Sequence, residues 1–158
     1  MHYIFQQCNI FYELYYLLCL GRNISKMKIV WKKCSSYDEA KDFSRIIYLH
    51  EWNGKPFYWG KAHNSFFGGS QRKRDGLSAS GRYNVGYRHW IEGCLKHGAC
   101  LYIGKLNDRA LECINEVENY LIYTYGHEMN SRVQEPKREL ILDHQGDIPL
   151  SISNFKHC

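Results

Sequence analysis

A chain of 158 residues fits one domain with a core of ordinary size. Its formal net charge is +5, and it contains seven cysteines. The odd number of cysteines, with no Cys-x-x-Cys spacing, argues against the disulfide framework of a small secreted domain. We therefore expect reduced thiols and a cytoplasmic protein.

The first 26 residues differ from the rest of the chain. The segment Ile10–Leu20 is apolar and aromatic, but it is shorter than the roughly 20 residues that span a bilayer. Neither the positive region nor the small-residue cleavage site of a signal peptide is present before Arg22. The sequence therefore predicts an N-terminal extension at residues 1–26, ahead of a conventional start at Met27, and no membrane partner.

The first predicted elements are a short helix and a β-hairpin. Capping serines and two acidic residues in Ser35–Ala40 are typical of a first helical turn. The β-branched and aromatic run Ile46–Trp52 predicts a strand, and Pro56–Ala62 predicts its return strand. Between them Asn53-Gly54 is a strong signal for a two-residue hairpin turn.

The second half of the chain predicts helix, strand and helix. Apolar residues in Tyr87–Lys96 follow the spacing of an amphipathic helix, and Cys100–Leu106 predicts a third strand. A further helix is expected with its N-cap at Asn107 or Asp108 and its end at Gly126. Together these elements predict an α+β fold with a small, three-stranded, mainly antiparallel sheet flanked by helices.

The positive charge is concentrated in one segment. Between Lys61 and Lys96 there are seven basic and two acidic residues, whereas the remainder has fourteen of each. Within it, His63–Gly86 is rich in Gly, Ser, Asn and Arg, which predicts a loop. Such a segment can bind a polyanionic backbone with a salt-dependent gain in affinity. A solvated basic loop explains the composition equally well.

Two tyrosines, a lysine and a glutamate suggest phosphodiester chemistry. Tyr48 and Tyr58 are expected on neighbouring strands, close to one another across the hairpin. A tyrosine, with a pKa of about 10 in water, serves as a base only where cations or metal-bound water lower its pKa. Lys61 is a suitable neighbour, and a single carboxylate such as Glu118 suits Mg²⁺. Taken singly, the tyrosines are more typical of strand aromatics than of catalytic residues, and Glu118 is also compatible with an exposed helix carboxylate.

The order of five segments carries more information than each segment alone. They are Ile46-Ile47-Tyr48, Tyr58-Trp59-Gly60-Lys61-Ala62, Lys96-His97-Gly98, Glu118-Asn119-Tyr120-Leu121-Ile122 and Asn130. In order and approximate spacing this set resembles the GIY-YIG endonuclease family, over about half of the chain. The resemblance implies a GIY-YIG-like nuclease domain at residues 27–135 that cleaves DNA by activated water attack with Mg²⁺, or alternatively Mn²⁺. Residues 136–158 would be a C-terminal extension.

The resemblance assigns roles to particular positions. Tyr48 and Tyr58 match the two motif tyrosines, one of which helps to generate the nucleophile. Glu118 matches the metal-binding glutamate, and Asn130 the late asparagine that supports the site. The family's arginine usually follows the second tyrosine by about ten residues, where this chain has Gly68.

The segment between Tyr58 and Lys96 is longer than in compact members of the family. The resemblance therefore implies that the catalytic arginine lies further along the chain than position 68. The candidates, which the sequence does not separate, are Arg72, Arg74 and Arg82. The residues expected to contact nucleic acid are Lys61, Lys73, Arg88, His89 and Asn130.

Two framework positions depart from the family pattern. Ile46 replaces the glycine of the first motif, and Trp59 the isoleucine of the second. A literal Tyr-Ile-Gly occurs at 102–104, but only sixteen residues separate Tyr102 from Glu118, which leaves no room for the basic segment. We therefore interpret Tyr102 as a structural residue of the third strand.

Other functions fit parts of the pattern. The departures from the family motifs are compatible with a nucleic-acid-binding module that has lost catalysis. Cys94, His97 and Cys100 have the spacing of zinc ligands, but a matching fourth ligand is missing. DNA sequence preference is not readable, and homodimerisation is one open route to specificity.

Overall fold

The computed structural model describes residues 26–69 and 87–155, which are organised around a five-stranded sheet in the order β3-β2-β4-β1-β5. The strands are β1 (Met27–Cys34), β2 (Ser44–Trp52), β3 (Lys55–Phe66), β4 (Ala99–Leu106) and β5 (Leu142–Gly146). Neighbouring strands are antiparallel, except that β5 runs parallel to β1. The fold is therefore α+β with a mixed sheet. The three expected strands are β2, β3 and β4, and the expected strand number was too small.

The two additional strands extend the sheet on the side away from the hairpin. In β1, Ile29 and Trp31 point into the core, while β5 contains only one apolar residue, Leu142. The indole nitrogen of Trp31 donates a hydrogen bond to Nδ1 of His144 at 3.0 Å, which links the two strands. The segment expected as a C-terminal extension thus supplies a strand of the sheet at Leu142–Gly146, and its residue Ile152 lies in the core.

Five helices lie in the described part of the chain. They are α1 (Tyr37–Ala40), α2 (Tyr87–Lys96), α3 (Asp108–Glu112), α4 (Ile114–Tyr125) and α5 (Leu150–Ser153). The helix expected between Asn107 and Gly126 is divided at Cys113, whose φ of −110° is not helical. Asn107 caps α3 by accepting a hydrogen bond from the backbone of Ala110 at 3.1 Å. None of these helices is long and apolar enough to cross a membrane.

The predicted hairpin turn is confirmed. Asn53 and Gly54 have φ values of +51° and +71°, and Trp52 lies opposite Lys55. Two consecutive residues with positive φ fit a turn whose twist matches that of the flanking strands. After the turn β3 continues to Phe66, so the loop predicted from His63 begins later than expected.

The sheet separates two apolar clusters. On the α4 face, the cluster is formed by Ile29, Trp31, Ile47, Leu49, Trp59, Tyr102, Ala110, Ile114, Val117, Leu121, Ile122, Leu140 and Ile152. On the α2 face, it is formed by Cys34, Tyr37, Ala40, Ile46, Ala62, Phe67, Ile91, Leu101 and Ile103. Because side chains alternate along a strand, neighbouring residues of β2 and β3 contribute to opposite faces.

Candidate functional site

The two tyrosines lie together on the α2 face of the hairpin. Tyr48 is on β2 and Tyr58 on β3, and their ring centroids are 6.1 Å apart. His50 lies directly opposite Tyr58, with its ring centroid 5.9 Å from Tyr48 and 6.4 Å from Tyr58. The pairing of β2 with β3 therefore creates a cluster of two phenols and one imidazole.

Gly60 makes room for Tyr48. It lies directly opposite Tyr48 in the β2–β3 pairing. A Cβ atom at Gly60 would be 2.3 Å from Cζ and 2.4 Å from the hydroxyl oxygen of Tyr48. The tyrosine ring thus extends across β3 toward the outer edge of the sheet, and it does so only because residue 60 has no side chain.

Tyr48 is held in its protonated form. Burial raises the pKa of the Tyr48 phenol above its ordinary value, and the neighbouring phenols of Tyr87 and Tyr58 raise this pKa further. At neutral pH Tyr48 is therefore a hydrogen-bond donor. Tyr87, the first residue of α2, belongs to this site, although the sequence indicated only its place on the apolar stripe of a helix.

His50 is a neutral imidazole enclosed by aromatic rings. It is 2% exposed, and burial lowers its pKa to about 4. The ring centroid of Trp90 is 4.9 Å from that of His50, and Phe67 lies on a further side at 6.5 Å. No described residue provides a hydrogen-bond partner for the buried Nε2 atom of His50. In the sequence, His50 follows Tyr48 by two residues, which places both side chains on the same face of a strand.

Lys61 and Glu118 form an ion pair on the α4 face. The ammonium of Lys61 on β3 donates a hydrogen bond to Oε2 of Glu118 on α4. Lys61 lies opposite Ile47, which belongs to the α4-face cluster. The Glu118 side chain retains 18% of its exposure, so it is accessible to solvent.

The tyrosine cluster and the ion pair lie on opposite faces of one strand. β3 is the outer strand of the sheet, and its consecutive residues Gly60 and Lys61 face opposite sides. Tyr48 packs over Gly60 on the α2 face, and Lys61 holds Glu118 on the α4 face. The sheet therefore lies between the two halves of the candidate site.

Asn130 binds the outer edge of β3. Its side-chain oxygen accepts a hydrogen bond from the backbone nitrogen of Trp59 at 3.0 Å, and its side-chain nitrogen donates to the Trp59 carbonyl at 2.8 Å. The amide thus satisfies both backbone groups that an edge strand exposes at this residue. In the structure Asn130 supports the strand that carries Tyr58 and Lys61.

Several predicted residues lie outside the described parts of the chain. They are Arg72, Lys73, Arg74 and Arg82. The other two basic candidates, Arg88 and His89, are exposed in the first turn of α2. Arg88 forms an ion pair with Asp38 at 2.9 Å and lies over the ring of Tyr37.

The literal Tyr-Ile-Gly segment has a structural place in β4. Tyr102 lies opposite Leu49 and is buried in the α4-face cluster, on the other side of the sheet from Tyr48. A Cβ atom at Gly104 would be 2.8 Å from the Trp31 ring, so this glycine allows the tryptophan to pack closely.

A preformed cage for a metal ion is not found in residues 26–69 and 87–155. No group of three or more His, Cys, Asp and Glu side chains is arranged there to hold a metal ion. Cys94, His97 and Cys100 accordingly do not form such a group, despite their spacing.

Comparisons of the chain with models of protein families, with curated proteins and with solved structures found no match. Function is therefore inferred from the residues and their geometry.

Proposed function

We propose that this protein is a metal-dependent DNA endonuclease of the GIY-YIG type, which hydrolyses phosphodiester bonds by activated water attack. The observation that carries the proposal is the arrangement around β3. Tyr48 lies over Gly60 with its ring centroid 6.1 Å from that of Tyr58, and Lys61, the residue after Gly60, holds the carboxylate of Glu118.

The two tyrosines have different roles in this proposal. The raised pKa of Tyr48 favours a donor role, in which it orients and stabilises the oxygen of Tyr58. Tyr58 is half-buried on the outer strand and is the better candidate for the base. As a phenolate, Tyr58 would take a proton from water as the water oxygen bonds to phosphorus, and the resulting phenol would release that proton to solvent before the next turnover. The bond from phosphorus to the ester oxygen breaks, and that oxygen leaves with a proton from solvent.

Cations would stabilise the charge that develops on the phosphate. Lys61 lies on the strand that carries Tyr58 and is partly exposed. An arginine from the basic segment, at Arg72, Arg74 or Arg82, would add a bidentate contact, because its planar guanidinium matches two phosphate oxygens. Removing one such contact from a transition state typically costs a factor of about 10² to 10³ in rate.

Glu118 fits a metal site in which the protein supplies only one or two ligands. Mg²⁺ commonly binds through one or two carboxylates, with water and phosphate oxygens completing its octahedron. Glu118 is a partly exposed carboxylate, and in this proposal the phosphate binds beside it. Mg²⁺ or Mn²⁺ bound there would supply neutralisation of phosphate charge, and Lys61 would orient the carboxylate.

A nucleic-acid-binding module without catalysis is the second candidate function. It is favoured by the contact between Lys61 and Glu118, because an ammonium already neutralises the only carboxylate assigned to the site. This candidate predicts salt-sensitive DNA binding and no cleavage with either Mg²⁺ or Mn²⁺.

Plasmid cleavage distinguishes the two candidates. We expect supercoiled plasmid to be nicked with Mg²⁺ and to remain intact with EDTA. Tyr58→Phe should lower the rate by about 10² to 10⁴, the usual contribution of a general base. The matched control is Tyr102→Phe, which changes the literal motif on the other face of the sheet and should leave the rate near that of the wild type. Cleavage that persists in EDTA and in Tyr58→Phe would refute this mechanism.

A further inference from the structure

Aromatic side chains form a continuous row beside the tyrosine cluster. We define the aromatic row as Trp52, Phe57, Trp90 and Tyr87. Successive ring centroids in this order are 6.4, 5.9 and 5.9 Å apart. The planes of Phe57 and Tyr87 are within 21° and 12° of the plane of Trp90. The row thus links the end of the hairpin to the first turns of α2.

The row exists because β3 contains an irregularity. The β2–β3 pairing shifts between His50 and Glu51, so that His50 lies opposite Tyr58 but Glu51 lies opposite Pro56. Phe57 is the additional residue of this bulge, and its ring packs against Trp90 on α2. A bulge commonly redirects a side chain in this way, and here it adds Phe57 to the α2 face.

The two tryptophans of the row are exposed. Trp52 and Trp90 are 38% and 37% exposed, whereas Trp31 and Trp59 are 2% and 0% exposed. An exposed aromatic side chain alone is unremarkable in a folded protein. Two exposed tryptophans joined through Phe57 form a surface on which flat rings can stack.

Exposed basic residues border the row. Lys55 lies opposite Trp52 at the hairpin end, and Arg88 and His89 immediately precede Trp90. Arg88 forms an ion pair with Asp38, and Lys55 adds a second exposed cation at the other end of the row. Aromatic rings flanked by cationic groups are the combination that binds single-stranded nucleic acid, through stacking of bases and contacts with phosphates.

The row also leads to the proposed catalytic residues. Trp90 covers His50, and His50 contacts both Tyr48 and Tyr58. One imidazole ring therefore separates the exposed indole from the two phenols. A base that stacks on Trp90 would bring its own phosphate close to Tyr58.

We propose that the aromatic row binds unpaired nucleotides of DNA next to the scissile phosphate. The proposal rests on the proposed nuclease function and specifies its substrate class as DNA with an unpaired segment, such as a single strand or a flap. In an intact duplex both faces of each base are covered by its neighbours, whereas an unpaired base has faces free to stack on an aromatic side chain.

Binding of a labelled thymidine oligonucleotide in EDTA tests the proposal independently of cleavage. We expect fluorescence anisotropy to show at least tenfold tighter binding of the oligonucleotide than of a duplex of the same length. The oligonucleotide should also quench tryptophan fluorescence, since the two exposed tryptophans belong to the row. Trp90→Leu should weaken binding about tenfold or more, consistent with the loss of one stacked base.

Two further variants control for folding and position. Trp52→Leu lies at the hairpin end, away from the His50 contact, and should weaken oligonucleotide binding even if Trp90→Leu fails to fold. Tyr123→Leu removes an exposed aromatic residue of α4 and should bind as the wild type does. Equal affinity for duplex and single strand, or unchanged affinity in Trp52→Leu, would overturn the proposal. Tight oligonucleotide binding without Mg²⁺-dependent cleavage of either the plasmid or a flap substrate would support binding by the aromatic row and refute the nuclease function.

Discussion

Gly60 is important because its lack of a side chain leaves room for the ring of Tyr48. The ring of Tyr48 occupies the space that a Cβ atom at position 60 would need. The sequence placed Gly60 in the second motif but did not reveal this contact, because the contact depends on which residue of β2 lies opposite. Ile46 and Trp59, the two departures from the motif pattern, are both buried.

The Gly60→Ala variant should displace Tyr48 and impair the site. We expect the free energy of unfolding to fall by about 1–3 kcal/mol, as for other overpacked positions. Cleavage should fall more than tenfold. Chemical denaturation and plasmid nicking measure the two effects.

The control is Gly93→Ala, in the middle of α2. A Cβ atom there meets nothing within 4 Å. This variant should gain about 0.5–1 kcal/mol from the higher helix propensity of alanine and keep its activity. Wild-type stability and nicking in Gly60→Ala would contradict the close packing of Tyr48.

His50 should make folding stability depend on pH. Its pKa is about 4 in the folded protein and about 6.5 in an unfolded chain, because burial favours the neutral imidazole. Between these values only the unfolded chain binds the proton. The stability from neutral His50 is therefore complete above pH 6.5 and is lost as the pH falls toward 4.

Urea denaturation at two pH values measures this contribution. Between about pH 7.5 and about pH 5, titration of His50 should lower the free energy of unfolding by about 2 kcal/mol. The rings in contact with His50 are those of Tyr48, Tyr58, Phe67 and Trp90, and none of these residues carries a carboxylate, an ammonium or a guanidinium.

The His50→Phe variant should lose about 2 kcal/mol less over this pH interval than the wild type does. His144, whose pKa burial also lowers, contributes equally in both proteins. An identical loss of stability in wild type and variant would show that His50 is not held neutral.

At the scale of elements, β3 is an edge strand held by a side chain. Asn130 makes two hydrogen bonds with the backbone of Trp59 and occupies the position that a further strand would take. The family resemblance singled out Asn130, but the strand that it binds is visible only in the structure.

The Asn130→Ala variant should loosen this strand. Loss of two partly buried hydrogen bonds should lower the free energy of unfolding by about 1–3 kcal/mol. Hydrogen exchange of the Trp59 amide should become faster. The exposed Asn154→Ala serves as a control with wild-type exchange at Trp59. Unchanged protection of the Trp59 amide in Asn130→Ala would contradict the structural role of Asn130.

Elements with strong local signals were predicted well. The Asn53-Gly54 turn, β2 and α2 follow directly from turn chemistry and apolar periodicity. β5 could not be predicted, because its five residues include one apolar side chain and its structure depends on pairing with β1. The break at Cys113 was likewise hidden within a continuous apolar stripe.

At the scale of the molecule, the candidate site is divided by the sheet. The sequence correctly placed Tyr48 and Tyr58 close together, but it could not assign Glu118 to the other face. That assignment depends on α4 packing against the side of the sheet that contains Ile47. The contributions of His50 and Tyr87 also arise only from tertiary packing.

We propose that the carboxylate held by Lys61 belongs to the same site as the tyrosines, across the edge of β3. The most direct test is the Mg²⁺-dependent nicking of supercoiled plasmid by Glu118→Gln, compared with Glu116→Gln. Both glutamates lie on α4 and form ion pairs, Glu118 with Lys61 and Glu116 with Arg138. We predict a rate at least 10²-fold lower in Glu118→Gln and a wild-type rate in Glu116→Gln. Equal nicking by the two variants would contradict the claim.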